Sequence, residues 1–259
     1  MNKKRLVIFD LDGTLYLDGI PFQGVKELIT SIRQRGIHVA FLTNNSSKST
    51  DSYVTKLVGM GLASHKREVI TSTQAAISHI LKNHPDVTFH VLGVPDVIRE
   101  IENSGVRVSR DDTVIPGGVL LTYDTTLTYD KIVRTTALIR KAPVYLATHP
   151  DMVCPTQEGP VPDVGTFIAM FESATGKHPR VLGKPEADML RFACARFGVT
   201  TNDTLMVGDR LYTDIKAGLN AGIETMLVLS GETTEAMLEK SDLKPDHVFP
   251  SVLDIEHVI

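Results

Sequence analysis

The chain has few cysteines, no long apolar run and no surplus of either charge. Each absence removes a class of function. Its two cysteines, Cys154 and Cys194, lie far apart in unlike surroundings. They make no disulfide framework, so a reducing, cytoplasmic compartment is expected. Cys194 sits at helical spacing among apolar neighbours and reads as core, while Cys154 sits in a loop. No His-x-x-x-His or Cys-x-x-Cys pair occurs among the 9 histidines and 2 cysteines, which argues against zinc. With 27 Lys+Arg against 31 Asp+Glu, the net charge is -4. That balance supplies neither a basic surface for nucleic acid nor a polybasic membrane anchor. No apolar stretch approaches a membrane span, and no secretory signal is expected ahead of the first strand. What remains is 259 residues, 42% of them hydrophobic. That suffices for one large core, or for a core with a smaller second domain.

The most informative stretch comes early. Leu6, Val7, Ile8 and Phe9 form an apolar run that stops at Asp10, with Asp12, Gly13 and Thr14 next. A short run of this kind reads as a strand buried on both faces of a parallel sheet. Such sheets carry their chemistry at the C-terminal ends of the strands. Two carboxylates so close repel unless a cation lies between them, and a hard cation such as Mg²⁺ prefers oxygen ligands. Taken alone, the stretch is equally a strand end followed by an Asp-Gly turn.

The rest of the chain repeats the theme. Val25, Leu28, Ile29 and Ile32 recur at helical spacing and stop at Gly36, and a second apolar strand spans 39–42. Strand, helix, strand makes the first two strands parallel. The polar cluster 43–50 is thereby delivered to the same edge as Asp10, where small donors ahead of a helix suit an anion. A third strand is expected at 68–71. After this strand a different rhythm follows, with strands at 88–92, 117–121 and 144–147 between helices, and no Asp-x-Asp. The loop 148–163 holds four prolines and reads either as a recognition surface or as a rigid crossover. Asp163 then caps a helix that Gly176 ends. From residue 180 the first rhythm returns: Lys184-Pro185, a helix face of Leu190, Ala193, Cys194 and Phe197, and strands at 205–209, 225–229 and 246–249. Alternating strands and helices predict an α/β fold with a Rossmann-like parallel sheet covered by helices on both faces.

Three strand ends thus carry polar candidates: Asp10 with Asp12, Thr43 with Asn44, and Asp209 with Asp214. Lys184 opens a helix between the second and third sets. This combination suits phosphoryl transfer. Mg²⁺ would be held by Asp10, Asp209 and the main-chain carbonyl of Asp12, with Asp214 as a further ligand or an orienting group. The cation and Lys184 would neutralise a phosphate as it nears an anionic nucleophile. Asp10 would attack phosphorus, and Asp12 would protonate the leaving oxygen and later activate water. Thr43, Asn44 and neighbouring main-chain N–H groups would hold the phosphoryl oxygens.

These residues, in this order, resemble the motifs of the haloacid dehalogenase-like phosphohydrolases. Asp10-Leu11-Asp12-Gly13-Thr14 matches the first motif, Thr43-Asn44 the second, Lys184 the third and Gly208-Asp209 through Asp214 the fourth. Asp12-Gly13-Thr14-Leu15-Tyr16, Thr43-Asn44-Asn45-Ser46, Gly183-Lys184-Pro185 and Gly208-Asp209-Arg210 resemble the NagD-type branch, which includes 4-nitrophenylphosphatase-like, nucleotide and sugar phosphatases. The resemblance implies a catalytic core over 1–72 and 179–259, and an inserted α/β cap over 73–178 that chooses the leaving group. It also implies Mg²⁺, a small phosphorylated metabolite as substrate, and a homodimer, since members are often dimeric. The carboxylate at Asp12 marks phosphatases and phosphotransferases rather than dehalogenases. One departure concerns Ala147-Thr148-His149-Pro150-Asp151, where several members carry Asn in place of His149. His149 is accordingly a candidate substrate contact.

The expected activity is Mg²⁺-dependent hydrolysis of small phosphomonoesters (sugar, nucleoside or glycerol-type phosphates) through an aspartyl-phosphate. Rivals are a phosphotransferase to an alcohol acceptor, a non-catalytic phosphometabolite sensor and a phosphoacceptor signalling domain. The presence of Asp10, Asp12 and Asp209 together counts against the sensor. Asp12 and the large insertion count against the signalling domain.

Overall fold

The computed structural model describes residues 4–17, 19–110, 115–156 and 158–259. The chain packs as two units. One comprises Met1–Thr43, Asp51–Ile70 and Lys184–Ile259, and the other Asn44–Thr50 and Thr71–Gly183.

The first unit is built on six strands: β1 (Leu6–Asp10), β2 (His38–Thr43), β3 (Val69–Thr71), β4 (Thr204–Gly208), β5 (Glu224–Val228) and β6 (His247–Phe249). Their order across the sheet is β6-β5-β4-β1-β2-β3. β1 lies between β2 and β4 and runs parallel to both, and β4–β5 and β5–β6 are parallel as well. Leu6 to Phe9 are fully buried, as the unbroken apolar run predicts for a central strand. On one face, Val7 and Phe9 pack with Ile29 and Ile32 of helix Val25–Gln34 and with Leu57. Burial of each such side chain contributes roughly 1.5–3 kcal/mol. The helix Asp188–Phe197 buries Leu190, Ala193 and Cys194. Cys194 is core, as read, with its thiol 3.5 Å from Thr204 Oγ1. Because Asp10 is in register with Leu42, β1 and β2 stop at the same edge, and β4 stops there beside them.

The second unit carries its own parallel sheet, in the order Arg180–Val181, Val144–Ala147, Gly118–Leu121, Phe89–Leu92. Alternate strand residues face opposite sides. Val119 and Leu121 pack with Ile139, Val164 and Phe171. Leu120 and Leu146 pack with Ala76, Ile80, Val97 and Ile101.

Three local features went unforeseen. Tyr16–Leu17 pairs antiparallel with Ile20–Pro21 in a small hairpin, where the sequence pattern led straight from the Gly13 turn to a helix. Val153–Cys154 pairs antiparallel with Val161–Pro162 inside the proline-rich loop. Strands of two residues are too short to show a period of two. Leu211–Ile215 winds as a single π-type turn before helix Lys216–Ala221. Among the described residues no helix is long and apolar enough to cross a membrane.

Candidate active site

The site in the first unit is assembled at the C-terminal edge of β1 and β4. Asp10 is the last residue of β1, Asp209 directly follows β4, and the π-type turn carries Asp214. One carboxylate oxygen from each lies within 4.8 Å of the others. Asp209 is 2% exposed and Asp214 fully buried. Lys184 Nζ, also buried, donates to Asp10 and, at 2.6 Å, to Asp214 Oδ1. Sequence reading named all four, and the fold brings them together across 205 positions of chain, from residue 10 to residue 214.

The carboxylates are aimed by groups the sequence did not single out. Glu232 N–H donates to Asp209 Oδ2 at 2.7 Å, Thr14 Oγ1 donates to Asp209 Oδ1 at 3.4 Å, and Arg210 N–H donates to Asp214 Oδ2 at 3.0 Å. Gly13 has φ +85° and its missing Cβ would stand 2.5 Å from Asp209 Oδ2. At Gly231 a Cβ would stand 2.1 Å from the same oxygen. Neither position accommodates a side chain while Asp209 stays in place. The available signal was Ser230-Gly231 at the end of the fifth strand, the same punctuation as Gly13 after the first.

Burial and mutual repulsion dominate the electrostatics. Burial, reinforced by the Asp214 charge, holds the Asp10 carboxyl well above the usual carboxylate range despite Lys184. Burial and Asp214 push Asp209 up to about 6. Burial alone would lower Lys184, but the charges of Asp10 and Asp214 outweigh it and hold its ammonium well above the ordinary value. Three carboxylates face Lys184 and the Arg210 charge that acts on Asp10 and Asp209, so negative charge is in excess by one. All-oxygen donors, oriented by main-chain and hydroxyl hydrogen bonds and lacking positive charge, fit a hard divalent cation.

That excess has a measurable consequence. A carboxyl whose folded-state pKa is raised binds more protons folded than unfolded. Its contribution favours the fold at low pH and is lost as pH climbs through the folded-state value. Without metal, the melting temperature is therefore expected to fall between pH 5 and pH 8, by on the order of 5 °C. Excess Mg²⁺ at pH 8 should restore it, because binding to the folded state alone stabilises by mass action. Scanning fluorimetry at both pH values, with EDTA and with Mg²⁺, reads this; a flat profile unaffected by Mg²⁺ would sink the metal reading.

Asp12 lies apart from the cluster. Its side chain is exposed, and Tyr16 Oη donates to its Oδ2 at 3.1 Å. Lys56 Nζ in turn donates to Tyr16 Oη at 3.0 Å and stands 4.3 Å from the ring centroid. Burial and the Asp12 charge hold the Tyr16 phenol well above its ordinary range, so it stays a donor. Thr43 ends β2 and is buried.

Asn44 belongs to the second unit, where its amide donates to both oxygens of Asp151 at 3.2 Å. His149, the candidate substrate contact, is fully buried in that unit. Its Nδ1 lies 3.5 Å from Asp151 Oδ2 and its Nε2 3.6 Å from Asp163 Oδ1. The two carboxylates form a slot that takes the ring inside, and Asp163 also caps the following helix at Val164 N–H, 2.6 Å away.

Comparison with known proteins makes this α/β chain with converging carboxylates a phosphoric monoester hydrolase. Residues 7–107 match the haloacid dehalogenase-like hydrolase family, and residues 181–255 match a HAD-hydrolase-like family. The chain is 30% identical to the 5'-nucleotidase YutF of Bacillus subtilis, over 98% of both chains. It is 31% identical to an acid sugar phosphatase of Staphylococcus haemolyticus, over 96% of this chain and 94% of that one. A crystal structure of 4-nitrophenylphosphatase from Thermotoga maritima superposes with a TM-score of 0.90 at 40% identity, covering 96% of this chain and 94% of that one. The chain belongs to the haloacid dehalogenase-like hydrolases, in their NagD-type branch.

Proposed function

We propose that this protein is a Mg²⁺-dependent phosphatase that hydrolyses small phosphomonoesters through a phosphorylated Asp10. The observation that carries the reading is the cluster of Asp10, Asp209 and Asp214 with Lys184 donating into it. Asp10 is the least enclosed of the three, which leaves it free to meet an incoming phosphate. Asp10, Asp209 and the main-chain carbonyl of Asp12 would hold the cation, and Asp214 accepts from Lys184 beside them. When bound, Mg²⁺ supplies the positive charge that lets an anionic ester approach an anionic carboxylate.

An Asp10 oxygen attacks phosphorus and the P–O bond to the leaving group breaks. Asp12 delivers a proton to the departing oxygen. Asp12 then takes a proton from the water that cleaves the acyl-phosphate, which releases inorganic phosphate, frees the Asp10 carboxylate and returns Asp12 to its protonated form. Lys184 and Thr43 hold the phosphoryl oxygens through both steps.

Relatives named as a 5'-nucleotidase and as an acid sugar phosphatase support nucleoside monophosphates and sugar phosphates as the substrate class. We assign substrate choice to the inserted unit, and place the enzyme in the cytoplasm because two cysteines far apart in the sequence make no disulfide framework. Phosphate release across 4-nitrophenyl phosphate and a panel of sugar, nucleotide and glycerol phosphates tests the reading. One metabolite is expected to exceed the aryl ester in kcat/KM, with all release lost in EDTA. Release that survives EDTA overturns the metal assignment. Transfer to added glycerol in preference to water would make the protein a phosphotransferase.

A further inference from the structure

We propose that Tyr16, anchored by Lys56, is a positioning residue that holds Asp12 for proton delivery and so governs how well the enzyme expels poor leaving groups. The proposal rests on the reading of Asp12 as proton donor.

The geometry fixes the direction of each hydrogen bond. An ammonium only donates, so Lys56 Nζ gives a proton to Tyr16 Oη across 3.0 Å. The hydroxyl's own proton is thereby turned toward Asp12 Oδ2, 3.1 Å away. A cation, a hydroxyl and a carboxylate in series polarise one another along the chain. Local backbone folding brings the partners together: Gly13 N–H donates to Tyr16 C=O at 2.9 Å, and Leu15 N–H to Leu11 C=O at 2.9 Å.

Tyr16 is suited to the task because its ring cannot move. It is fully buried, in one cluster with Leu11, Leu15, Tyr53 and Leu57. Lys56 projects from the helix Thr50–Gly59, between Tyr53 and Leu57 in sequence. Asp12 itself is exposed, and an exposed carboxylate otherwise samples several rotamers. Tying Oδ2 to a fixed hydroxyl removes that freedom before substrate arrives and leaves Oδ1 to serve the leaving oxygen. Prior orientation of this kind is worth rate. It matters most where proton transfer matters most, in esters of alkyl alcohols. A 4-nitrophenolate departs without help.

The test measures kcat/KM, which covers the steps through leaving-group expulsion, with saturating Mg²⁺ at one pH. Substrates are 4-nitrophenyl phosphate and the fastest alkyl phosphate of the panel. Tyr16→Phe keeps the buried ring and is expected to lose about tenfold on the alkyl ester and under twofold on the aryl ester, with the Tm little changed. Lys56→Met should fall in the same direction by about threefold, and Lys56→Arg should recover most of it. Asp12→Asn, run alongside, sets the full size of the selective loss. If Asp12→Asn is selective for the alkyl ester while Tyr16→Phe and Lys56→Met cost nothing, or cost both esters equally, the positioning role is wrong and the proton donor stands. If Asp12→Asn itself costs both esters equally, the proton-donor reading fails and the proposal fails with it.

Discussion

Asp10→Asn is expected to lower kcat/KM for every phosphomonoester by at least about 10⁴-fold, because an amide oxygen is a poor nucleophile and no neighbouring group replaces it. The variant should nonetheless fold, and without metal it should melt higher than the parent at pH 8. The reason lies in the charge count at the strand ends. Asp10, Asp209 and Asp214 bring one carboxylate oxygen each within 4.8 Å, and against them stand the Lys184 ammonium, which donates to two of them, and the charge of Arg210. Burial and Asp214 already hold the Asp10 carboxyl far above its ordinary range, so its ionised form at pH 8 works against the fold. Asparagine keeps the shape and removes that charge. Lys184 retains Asp214 at 2.6 Å. Phosphate release with scanning fluorimetry separates the two effects. More than about 1% of parental activity would remove Asp10 from the nucleophile's place; a lower metal-free Tm at pH 8 would mean that the charge count is misjudged.

Asp10 and Asp209 were legible as candidates because each is announced by its strand. Leu6 to Phe9 and Leu205 to Val207 are apolar runs that a buried parallel strand requires, and in both a carboxylate stands at or just past the strand's end. Strand, helix, strand then forces the ends to one edge. Lys184 has no such signal in its own segment. It stood out because something cationic was needed and because Gly183-Lys184-Pro185 resembles a family motif. What the sequence left dark is contact between side chains far apart in the chain. Nothing in the pattern links Lys56 to Tyr16, yet 40 positions of sequence close to 3.0 Å. Glu232 reaches Asp209 through its main chain, an interaction to which residue identity is silent.

His149 shows the same limit from the other side. Its departure from the family's amide suggested a substrate contact. The structure buries it because Asp163, fourteen residues on, returns beside Nε2 while Asp151 stands beside Nδ1. Where several family members carry an amide, this chain carries a ring that two carboxylates enclose. The short pairing of Val153–Cys154 with Val161–Pro162 is what brings Asp163 back. Four prolines concealed it, since proline removes the donors by which a strand is usually recognised.

Lys184→Met is expected to reduce kcat/KM by about 10²- to 10³-fold while leaving Mg²⁺ affinity at pH 8 unchanged or tighter. These directions oppose each other, and that makes the variant informative. If Lys184 served only to hold the carboxylates in place, its loss would weaken metal binding and activity together. As a charge, it competes with the cation for the same oxygens, because its ammonium donates to Asp10 and Asp214. Removing it leaves three carboxylates with more unmet negative charge, and a divalent ion then gains by binding. The transferring phosphoryl group loses, since it needs positive charge on the side where Lys184 stands. Without metal the variant should melt lower than the parent at pH 8, because buried carboxylates lose their cation, and Mg²⁺ should recover most of the difference. Calorimetric Mg²⁺ titration, fluorimetry and phosphate release on one preparation suffice. A parallel fall in metal affinity and rate would reduce Lys184 to a scaffold. Tight metal binding with slow turnover would place its charge on the phosphate.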